Sequence, residues 1–313
     1  MNIAICGATG MVGQQCLKIL EERNFPIDNL QLFASKKSIG KSIKFKNKDY
    51  YIQELTAKAL NGGFNIVIFT TSATISKEFV PIAVKHGAVV IDNSSHWRMY
   101  DNVPLVVPEV NPNDIKNHTG IISNPNCIAV PAVMALKPLH DAFCIKRIVI
   151  SSYQSVSGAG MGGMNDLRHN EQNFFLEPIS YNIIPIIGEI EPSGYTGEET
   201  KIMQEVKKIL NIQDLKITAT AVRVPVFIGH SLSINASFEK PFDIKMVNNL
   251  LSNAPGVLLS DIPTPQKIAG YDKIIVGRLR IDTSIENGLD LFICSDNIRK
   301  GAATNAVQIA ELL

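Results

Sequence analysis

The first third of the chain alternates short runs of β-branched residues with amphipathic stretches, a pattern typical of βαβ units. Helices are predicted over Met11–Glu22 and around Phe79–His86. Strands are predicted at Ile3–Cys6, Leu30–Phe33, Asn65–Phe69, Ala88–Asp92 and Gly120–Ser123. This alternation favours an α/β fold that begins with a Rossmann-type dinucleotide-binding domain.

Beyond residue 146 the strands become longer and alternate in polarity, which indicates a mixed sheet with one covered face. They are predicted at Arg147–Val156, Ile217–Val222, His230–Phe238, Ile274–Asp282 and Leu289–Cys294. Helical patterns cover Val130–Leu139, Gly197–Leu210 and the tail Arg299–Leu313. We therefore expect a dinucleotide-binding domain over residues 1–125, completed by a C-terminal helix at 298–313, and an α+β domain over 126–297.

Composition excludes several classes of protein. The 313 residues are 45% hydrophobic and 19% charged, which is typical of a globular protein. The net charge of +1 gives no long-range electrostatic attraction for nucleic acid or an anionic membrane. No apolar run approaches the roughly 20 residues that span a bilayer. The five cysteines are odd in number and lack CxxC spacing, which argues against disulfides and a zinc site. The N-terminus is typical of a strand rather than a signal peptide, so we expect a cytoplasmic protein without a metal.

A glycine-rich loop follows the first predicted strand and opens the first helix. Its spacing is GxxGxxG, and in this position the free helix amides can hold a dinucleotide pyrophosphate. The candidate cofactor-binding residues are Gly7, Thr9, Gly10, Met11, Val12 and Gly13. A purely structural turn is the alternative.

The segment after the second strand indicates which dinucleotide binds. NAD sites usually carry an acidic residue there, for the ribose hydroxyls. Here the chain reads Ser35-Lys36-Lys37-Ser38, and hydroxyls and ammonium groups suit a 2′-phosphate. Ser35, Lys37 and Ser38 therefore predict NADP, with a solvated basic turn as the alternative.

Cys127 is the candidate nucleophile, because it lies in a polar turn between a strand and a helix, where helical amides lower a thiol pKa. The remaining cysteines, Cys6, Cys16, Cys144 and Cys294, are interpreted as packing residues. A thiol that attacks an acyl group needs a base, and a histidine suits neutral pH. His230 and His96 both remain candidates, since spacing alone does not choose between them.

Several motifs, in order along the chain, together resemble the aspartate-semialdehyde dehydrogenase family. They are the glycine loop, Ser123-Asn124-Pro125-Asn126-Cys127, Tyr153–Gly160, Arg223-Val224-Pro225-Val226 with Gly229-His230, Val276–Arg280 and Asp296–Ala303. The resemblance implies NADPH-dependent reductive dephosphorylation of L-4-aspartyl phosphate to L-aspartate 4-semialdehyde through a Cys127 thioester. Such a reaction serves the biosynthesis of lysine and diaminopimelate, threonine and methionine.

The resemblance also implies a role for individual residues. Cys127 is the nucleophile, His230 the acid/base and Gln154 a positioning residue. Arg98 and Lys201 bind phosphate, Glu198 the substrate ammonium and Arg223 the α-carboxylate, while Asn126 precedes the nucleophile in the family motif. Ser157, Gly158 and Asn297 match residues on the nicotinamide side of the cofactor. The family implies a homodimer or homotetramer assembled through the second, catalytic and dimerisation domain.

Alternatives remain for these residues and for the function. Glu198 and Lys201 also fit an i, i+3 surface pair. The nearest rival function is an N-acetyl-γ-glutamyl-phosphate reductase-like enzyme, which needs no carboxylate for a free amino group. A second rival is a catalytically silent nucleotide-binding protein. The joint presence of Cys127, Gln154, Arg223 and His230 disfavours it.

Overall fold

A computed structural model describes all 313 residues of the chain. The chain divides into two compact units, one of residues 1–125 with 302–313 and one of residues 126–301. The chain therefore returns to the first unit at Ala302 rather than at residue 298. Neither unit contains a helix long and apolar enough to cross a membrane.

The first unit is built on a seven-stranded sheet with the strand order β3-β4-β2-β1-β5-β6-β7. The strands are β1 (Asn2–Cys6), β2 (Asn29–Ala34), β3 (Ser42–Phe45), β4 (Lys48–Glu54), β5 (Ile66–Phe69), β6 (Val89–Asp92) and β7 (Ile121–Ser123). All pairs are parallel except the β3–β4 hairpin. Because β1 has β2 on one side and β5 on the other, the strand order reverses at its carboxyl end, where ligands bind in such sheets.

Helix packing in the first unit follows the apolar stripes of the sequence. Helix α1 (Met11–Glu22) has the predicted bounds and buries Cys16, Leu17, Ile19 and Leu20. Helix α2 (Ala73–Lys85) begins before the predicted Phe79, because the Ser72 hydroxyl caps it by accepting a hydrogen bond from the Ile75 N–H. A π-helical turn over Arg299–Ala303 leads into the C-terminal helix Thr304–Glu311.

The β3–β4 hairpin was not predicted. Each of its strands carries one lysine, the hairpin lies at the edge of the sheet, and most of its side chains are exposed. Such a segment lacks the apolar run by which a strand is recognised in a sequence.

The second unit is built on a six-stranded mixed sheet with the strand order β11-β12-β13-β10-β8-β9. The strands are β8 (Ile145–Gln154), β9 (Lys216–Arg223), β10 (His230–Phe238), β11 (Val257–Leu259), β12 (Ile274–Asp282) and β13 (Gly288–Ser295). The helices are α3 (Ala129–Phe143), α4 (Gly160–His169), α5 (Gly197–Leu210), α6 (Ile244–Ser252) and α7 (Pro265–Ile268). Helix α3 packs between α5 and α6 on one face of the sheet. The predicted fold class, a Rossmann-type domain followed by a domain with a mixed sheet, is confirmed.

Candidate active site

Three neighbouring strands bring the predicted catalytic side chains of the second unit to one edge of its sheet. Gln154 at the end of β8 is the register partner of Arg223 at the end of the parallel strand β9. On the other side of β8, the antiparallel strand β10 begins at His230, and its next residue, Ser231, pairs with Tyr153. Ends of parallel strands and starts of antiparallel strands lie at the same sheet edge, so Gln154, Arg223 and His230 are clustered there.

The segment that carries Cys127 is held by the residue before it. The backbone N–H of Asn126 donates to the Glu205 carboxylate at 2.6 Å, and its side-chain amide donates to Glu198 at 2.8 Å. Its side-chain oxygen accepts from the Ile128 N–H at 2.7 Å. Cys127 itself is half-buried and lies two residues before the start of α3. A buried amide with all its polar groups bonded fixes the backbone on both sides of the thiol.

Glu198 is the polar centre of this cluster. It lies in the first turn of α5 and is 8% exposed. Its carboxylate accepts hydrogen bonds from Asn126 and, at 3.3 Å, from the Gln154 amide, and it forms a 2.8 Å ion pair with Lys201. Burial raises the pKa of the Glu198 carboxyl, but the Lys201 ammonium and the two amide donors outweigh it and lower the pKa to about 2. Glu198 is therefore an anion in a largely buried site. Besides its ion pair with Lys201, it binds the side chains of Asn126 and Gln154.

The start of α5 is fastened so that Glu198 keeps this position. The Thr196 hydroxyl accepts from the Glu199 N–H while the Glu199 carboxylate accepts from the Thr196 N–H, a complete capping box. The second oxygen of Glu199 accepts from the Ala221 N–H of β9 at 2.9 Å. A cleft of about 480 Å³ opens beside this turn and is lined by residues 187–192, Gly197, Glu198 and Lys201.

Arg223 is a buried cation whose charge interacts with Cys127. Its guanidinium donates to the Ser155 carbonyl at 2.7 Å and lies 5.9 Å from the centre of the Phe175 ring. Burial lowers the pKa of Arg223, whereas the nearby charges of Cys127 and Glu198 raise it. A positive charge that interacts with the Cys127 sulfur stabilises the thiolate, which is the nucleophilic form.

His230 is fully buried and neutral. Burial and the Arg223 guanidinium together lower the pKa of its imidazole to about 3, although the Glu198 carboxylate opposes the shift. Its Nδ1 accepts a 3.0 Å hydrogen bond from the Ser155 N–H. Its Nε2 is buried without a hydrogen-bond partner. A buried polar atom without a partner costs about 1–3 kcal/mol and is common where a ligand is expected to complete the site.

Two glycines leave room beside these groups. A Cβ atom on the exposed Gly158 would lie 2.9 Å from Arg223 Nη1 and 3.2 Å from His230 Nε2. A Cβ atom on Gly301 would lie 3.0 Å from the Cβ of Cys127. The backbone of Gly158 thus lies close to the Arg223 guanidinium and the His230 imidazole. The backbone of Gly301 lies close to Cys127.

The glycine-rich loop of the first unit has the geometry of a phosphate cradle. Gly7 has a φ of +86°, and a Cβ atom on it would lie 2.7 Å from the Thr70 hydroxyl. A Cβ atom on Gly13 would lie 2.4 Å from the Gly7 carbonyl oxygen. Gly10 is the N-cap of α1, without a side-chain cap and without an acidic residue in the first turn. The amides of Met11, Val12 and Gly13 therefore face an anion-binding position at the helix N-terminus.

The residues predicted to bind a 2′-phosphate follow β2 at the same sheet edge. Ser35, Lys36 and Lys37 are exposed, whereas Ser38 is buried with its hydroxyl 3.5 Å from that of Thr9. No acidic residue occurs in this turn, and both of its lysines are in its short 3₁₀ helix. The residues present fit a dinucleotide with a phosphorylated ribose.

Two predicted residues of the first unit have contacts within that unit. Arg98 is buried and donates to the carbonyls of Asn124 at 3.0 Å and Asn93 at 2.8 Å. His96 packs edge-on against Trp97, with ring centres 4.7 Å apart. His230, in contrast, belongs to the same unit as Cys127, and its charge environment contains Arg223 and Glu198.

Ser157 and Asn297, predicted on the cofactor side, are joined in a buried network. The Asn297 amide oxygen accepts from the Gly229 N–H at 3.0 Å, and its amide nitrogen donates to the Ser157 hydroxyl at 3.0 Å. Ser157 and Asn297 are each 3% exposed.

Sequence reasoning missed Glu205 and Ser155, which hold Cys127 and His230 in place. A signal existed for Glu205, because it lies two helical turns after Glu198 and among the buried apolar positions of α5. Ser155 carries no such signal, since its contacts depend on how distant strands meet.

Comparisons with known proteins agree with this geometry. The family model described as semialdehyde dehydrogenase, NAD binding domain, matches residues 2–118, and the model described as semialdehyde dehydrogenase, dimerisation domain, matches residues 136–300. The chain is 47% identical to an aspartate-semialdehyde dehydrogenase of Aquifex aeolicus, over 100% of this chain and 97% of the relative. A solved structure of aspartate semialdehyde dehydrogenase II of Vibrio cholerae, complexed with ASA, is 42% identical with a TM-score of 0.97, over 100% of this chain and 97% of that one. The structure of the Candida albicans enzyme with NADP is 26% identical with a TM-score of 0.79, over 100% and 98% of the two chains.

Proposed function

Since the chain belongs to the aspartate-semialdehyde dehydrogenase family, we propose that it reduces L-4-aspartyl phosphate to L-aspartate 4-semialdehyde with NADPH, through a thioester on Cys127. The observation that carries the proposal is the cluster in the second unit, where Cys127 interacts with the buried charge of Arg223 and where Glu198 binds the amide next to the thiol. A thiol beside a buried cation has the electrostatics of a nucleophile.

The charges of the site are complementary to the substrate. Glu198 is the buried anion that pairs with the substrate ammonium, and Arg223 offers a planar fork for the α-carboxylate. Lys201, now paired with Glu198, lies at the cleft and is the cation for the phosphate. The phosphate contact of Arg98 stays a prediction. Binding of the ammonium then replaces part of the Lys201 ion pair and frees Lys201 for the phosphate.

The chemistry of the chain's own residues follows from this placement. The Cys127 thiolate adds to the acyl carbon, and phosphate departs with the electron pair of the C–O bond to leave a thioester. When bound, the reduced nicotinamide would supply a hydride to the carbonyl carbon of this thioester, and the resulting hemithioacetal on Cys127 carries a negative charge on its oxygen. That oxyanion re-forms the carbonyl group as the C–S bond breaks, the electron pair of this bond returns to Cys127 as the thiolate, and the aldehyde is released. With a pKa of about 3, His230 is a weak base, so we assign it the stabilisation of charge on the reacting oxygen in place of the acid/base role that the resemblance implies. Gln154 orients the acyl group.

NADP is the proposed dinucleotide. The support is the acid-free turn with Ser35, Lys37 and the buried Ser38, together with the solved structure of the Candida albicans relative, which contains NADP. Lys37 provides charge and the two serines provide hydroxyl donors for a 2′-phosphate.

The proposal is tested by the reverse reaction. The purified protein, aspartate semialdehyde, phosphate and NADP⁺ should give phosphate-dependent formation of NADPH. N-acetylglutamate semialdehyde should be a much poorer substrate, because it lacks the ammonium that Glu198 binds. A preference for the acetylated aldehyde would instead support the N-acetyl-γ-glutamyl-phosphate reductase alternative. No turnover of either aldehyde, with retained NADP⁺ binding, would support a silent binding protein.

We also propose that the second unit forms a homodimer through the open face of its sheet. Helices α3, α5 and α6 cover one face, whereas Tyr153 and Phe292 stack on the other, 6.3 Å apart. The Tyr153 side chain is 38% exposed, and the region that matches the dimerisation domain of the family includes this face. Exposed aromatic surface of this kind is typical of protein–protein interfaces.

Sedimentation velocity tests this interface. Ser233→Arg on the open face should shift the protein towards the monomer, because it inserts an unpaired charge between two copies. Tyr51→Arg, on an exposed strand of the first unit, is the matched control and should leave the assembly unchanged. Unchanged assembly of Ser233→Arg would show that the interface lies elsewhere, with dimer and tetramer distinguished by mass.

A further inference from the structure

Two backbone amides set the direction of a buried hydrogen-bond network behind His230. An amide N–H is always a donor, so the Ser155 N–H makes His230 Nδ1 an acceptor, at 3.0 Å. In the same way, the Gly229 N–H identifies the side-chain atom of Asn297 that it meets as the oxygen. The tautomer of the histidine and the orientation of the asparagine amide therefore follow from groups that cannot reverse.

The hydroxyls of Ser155 and Ser157 also donate to this Asn297 oxygen, at 3.1 and 3.2 Å, so Asn297 holds both serines directly. The Asn297 amide nitrogen donates to the Ser157 hydroxyl at 3.0 Å, and the Ser157 and Ser155 hydroxyls are 3.0 Å apart. The Ser155 hydroxyl lies 3.0 Å from His230 Nδ1. Asn297 thus anchors Ser155 beside the imidazole, in a region where Ser155 and His230 are fully buried.

We propose that Ser155, anchored by Asn297, is a positioning residue that holds neutral His230 as the Nε2–H tautomer, so that His230 presents a hydrogen-bond donor to the reacting oxygen. The Nδ1–H tautomer would put two hydrogens between His230 Nδ1 and the Ser155 N–H, which are 3.0 Å apart. That arrangement replaces a buried hydrogen bond with a repulsive contact.

The free end of the ring is placed for this role. Nε2 is buried without a partner, and it approaches the same point as Arg223 Nη1, beside Gly158. The charged groups that face His230 are Arg223 on β9 and Glu198 on α5. The cation and the low polarity of the site both favour the neutral ring, which acts as a donor without first gaining a proton. The inference rests on the proposed function for the identity of the reacting oxygen.

Nitrogen NMR tests the tautomer without turnover. In protein labelled with ¹⁵N-histidine, His230 is assigned by the resonances that disappear in His230→Gln. At pH 7 we expect a protonated Nε2 and an unprotonated Nδ1. A protonated Nδ1 would overturn the proposal, whatever the activity of the protein. Since this measurement uses the unliganded protein, its result is independent of whether aspartate semialdehyde is the substrate.

Measurements of kcat and of the NADPH dissociation constant distinguish a residue that positions His230 from one that binds the cofactor. Asn297→Ala should lower kcat about tenfold or more while the NADPH dissociation constant stays within about twofold, because the loss falls on the donor to the transition state. Asn253→Ala, an exposed asparagine, is the matched control. A weaker NADPH affinity with unchanged kcat would overturn the proposal and favour a cofactor contact for Asn297. Ser155→Thr keeps the hydroxyl and should retain more kcat than Ser155→Ala; equal losses would also count against the network.

Discussion

The carboxylate of Glu198 accepts a 2.8 Å hydrogen bond from the side-chain amide of Asn126, the residue immediately before Cys127. One buried anion thus binds the segment of the nucleophile and pairs with Lys201. If Glu198 binds the substrate ammonium as proposed, recognition of the substrate and placement of the thiol are coupled through a single side chain.

Removal of the Glu198 charge should weaken substrate binding and slow acylation. For Glu198→Gln we expect KM for aspartate semialdehyde to rise about tenfold to a hundredfold, since a hydrogen bond to a charged group contributes about 1.5–3 kcal/mol. The kcat value should fall as well, because the Asn126 amide loses a charged acceptor. Steady-state kinetics against Glu177→Gln, an exposed control, measures both effects. An unchanged KM would exclude Glu198 from ammonium binding.

Cys127→Ser should lower turnover by several orders of magnitude while NADPH still binds, because a serine hydroxyl at neutral pH is a far weaker nucleophile than a thiolate. Cys144→Ser, a half-buried thiol at the opposite end of α3, is the matched control and should keep near-normal activity. Mass spectrometry of acid-quenched protein should detect the acyl adduct in the Cys144 variant and not in the Cys127 variant. Near-normal turnover of Cys127→Ser would refute covalent catalysis.

Lys37→Ala should weaken NADPH about tenfold or more and leave NADH nearly unchanged, because only the former carries the 2′-phosphate that the ammonium pairs with. Fluorescence titration with each dinucleotide measures the two dissociation constants. Lys44→Ala, on the exposed hairpin strand β3, is the control for general loss of positive charge. Equal weakening of both dinucleotides would contradict 2′-phosphate recognition by Lys37.

Gly158→Ala should impair catalysis more than folding. The added methyl group meets Arg223 Nη1 at 2.9 Å and His230 Nε2 at 3.2 Å, so the guanidinium and the ring must shift. We expect kcat/KM to fall about a hundredfold, since displacements of about 1 Å have effects of that size. Thermal unfolding should change by a few degrees at most, and Ala159→Ser serves as the neighbouring control. Full activity of Gly158→Ala would show that the space beside Gly158 is not used by the substrate.

His230 should make the protein less stable as the pH falls from 7 to 5. The pKa of His230 is about 3 in the folded state and about 6.5 in the unfolded chain, so the unfolded state binds more protons between these values. The contribution of His230 to the free energy of unfolding is complete above pH 6.5 and is lost as the pH falls towards 3. Between pH 7 and pH 5 the loss is about 2 kcal/mol. The carboxyl of Glu198 titrates below this window, since its folded pKa is about 2.

Denaturant unfolding of wild type and His230→Gln at pH 7 and pH 5 measures this contribution. The variant should lose less stability over the interval, by roughly 2 kcal/mol, because glutamine does not titrate. An equal loss in both proteins would assign the pH dependence to other groups.

The sequence by itself determined the family, the positions of the chemical groups and the elements with a strong local pattern, but not the β3–β4 hairpin, β11, α4, α6 or α7. Amphipathic periodicity gave the bounds of α1 and α5, and strand alternation gave those of β10 and β12, because these patterns are local. Family membership, predicted from the ordered motifs, is confirmed by relatives that match over the full length. The roles of individual site residues remain predictions.

Tertiary structure decided how those groups are held and in which form they act. Glu205 binds the segment of Cys127 across 79 positions of sequence, and Ser155 binds His230 across 75. Such contacts arise where distant strands and helices meet, so no local pattern encodes them. The tautomer proposed for His230 depends on one backbone N–H and on burial, and both of these are properties of the folded chain. The thiol, Arg223, Glu198 and His230 were predicted from the sequence, whereas the contacts by which Glu205 and Ser155 hold the site required the fold.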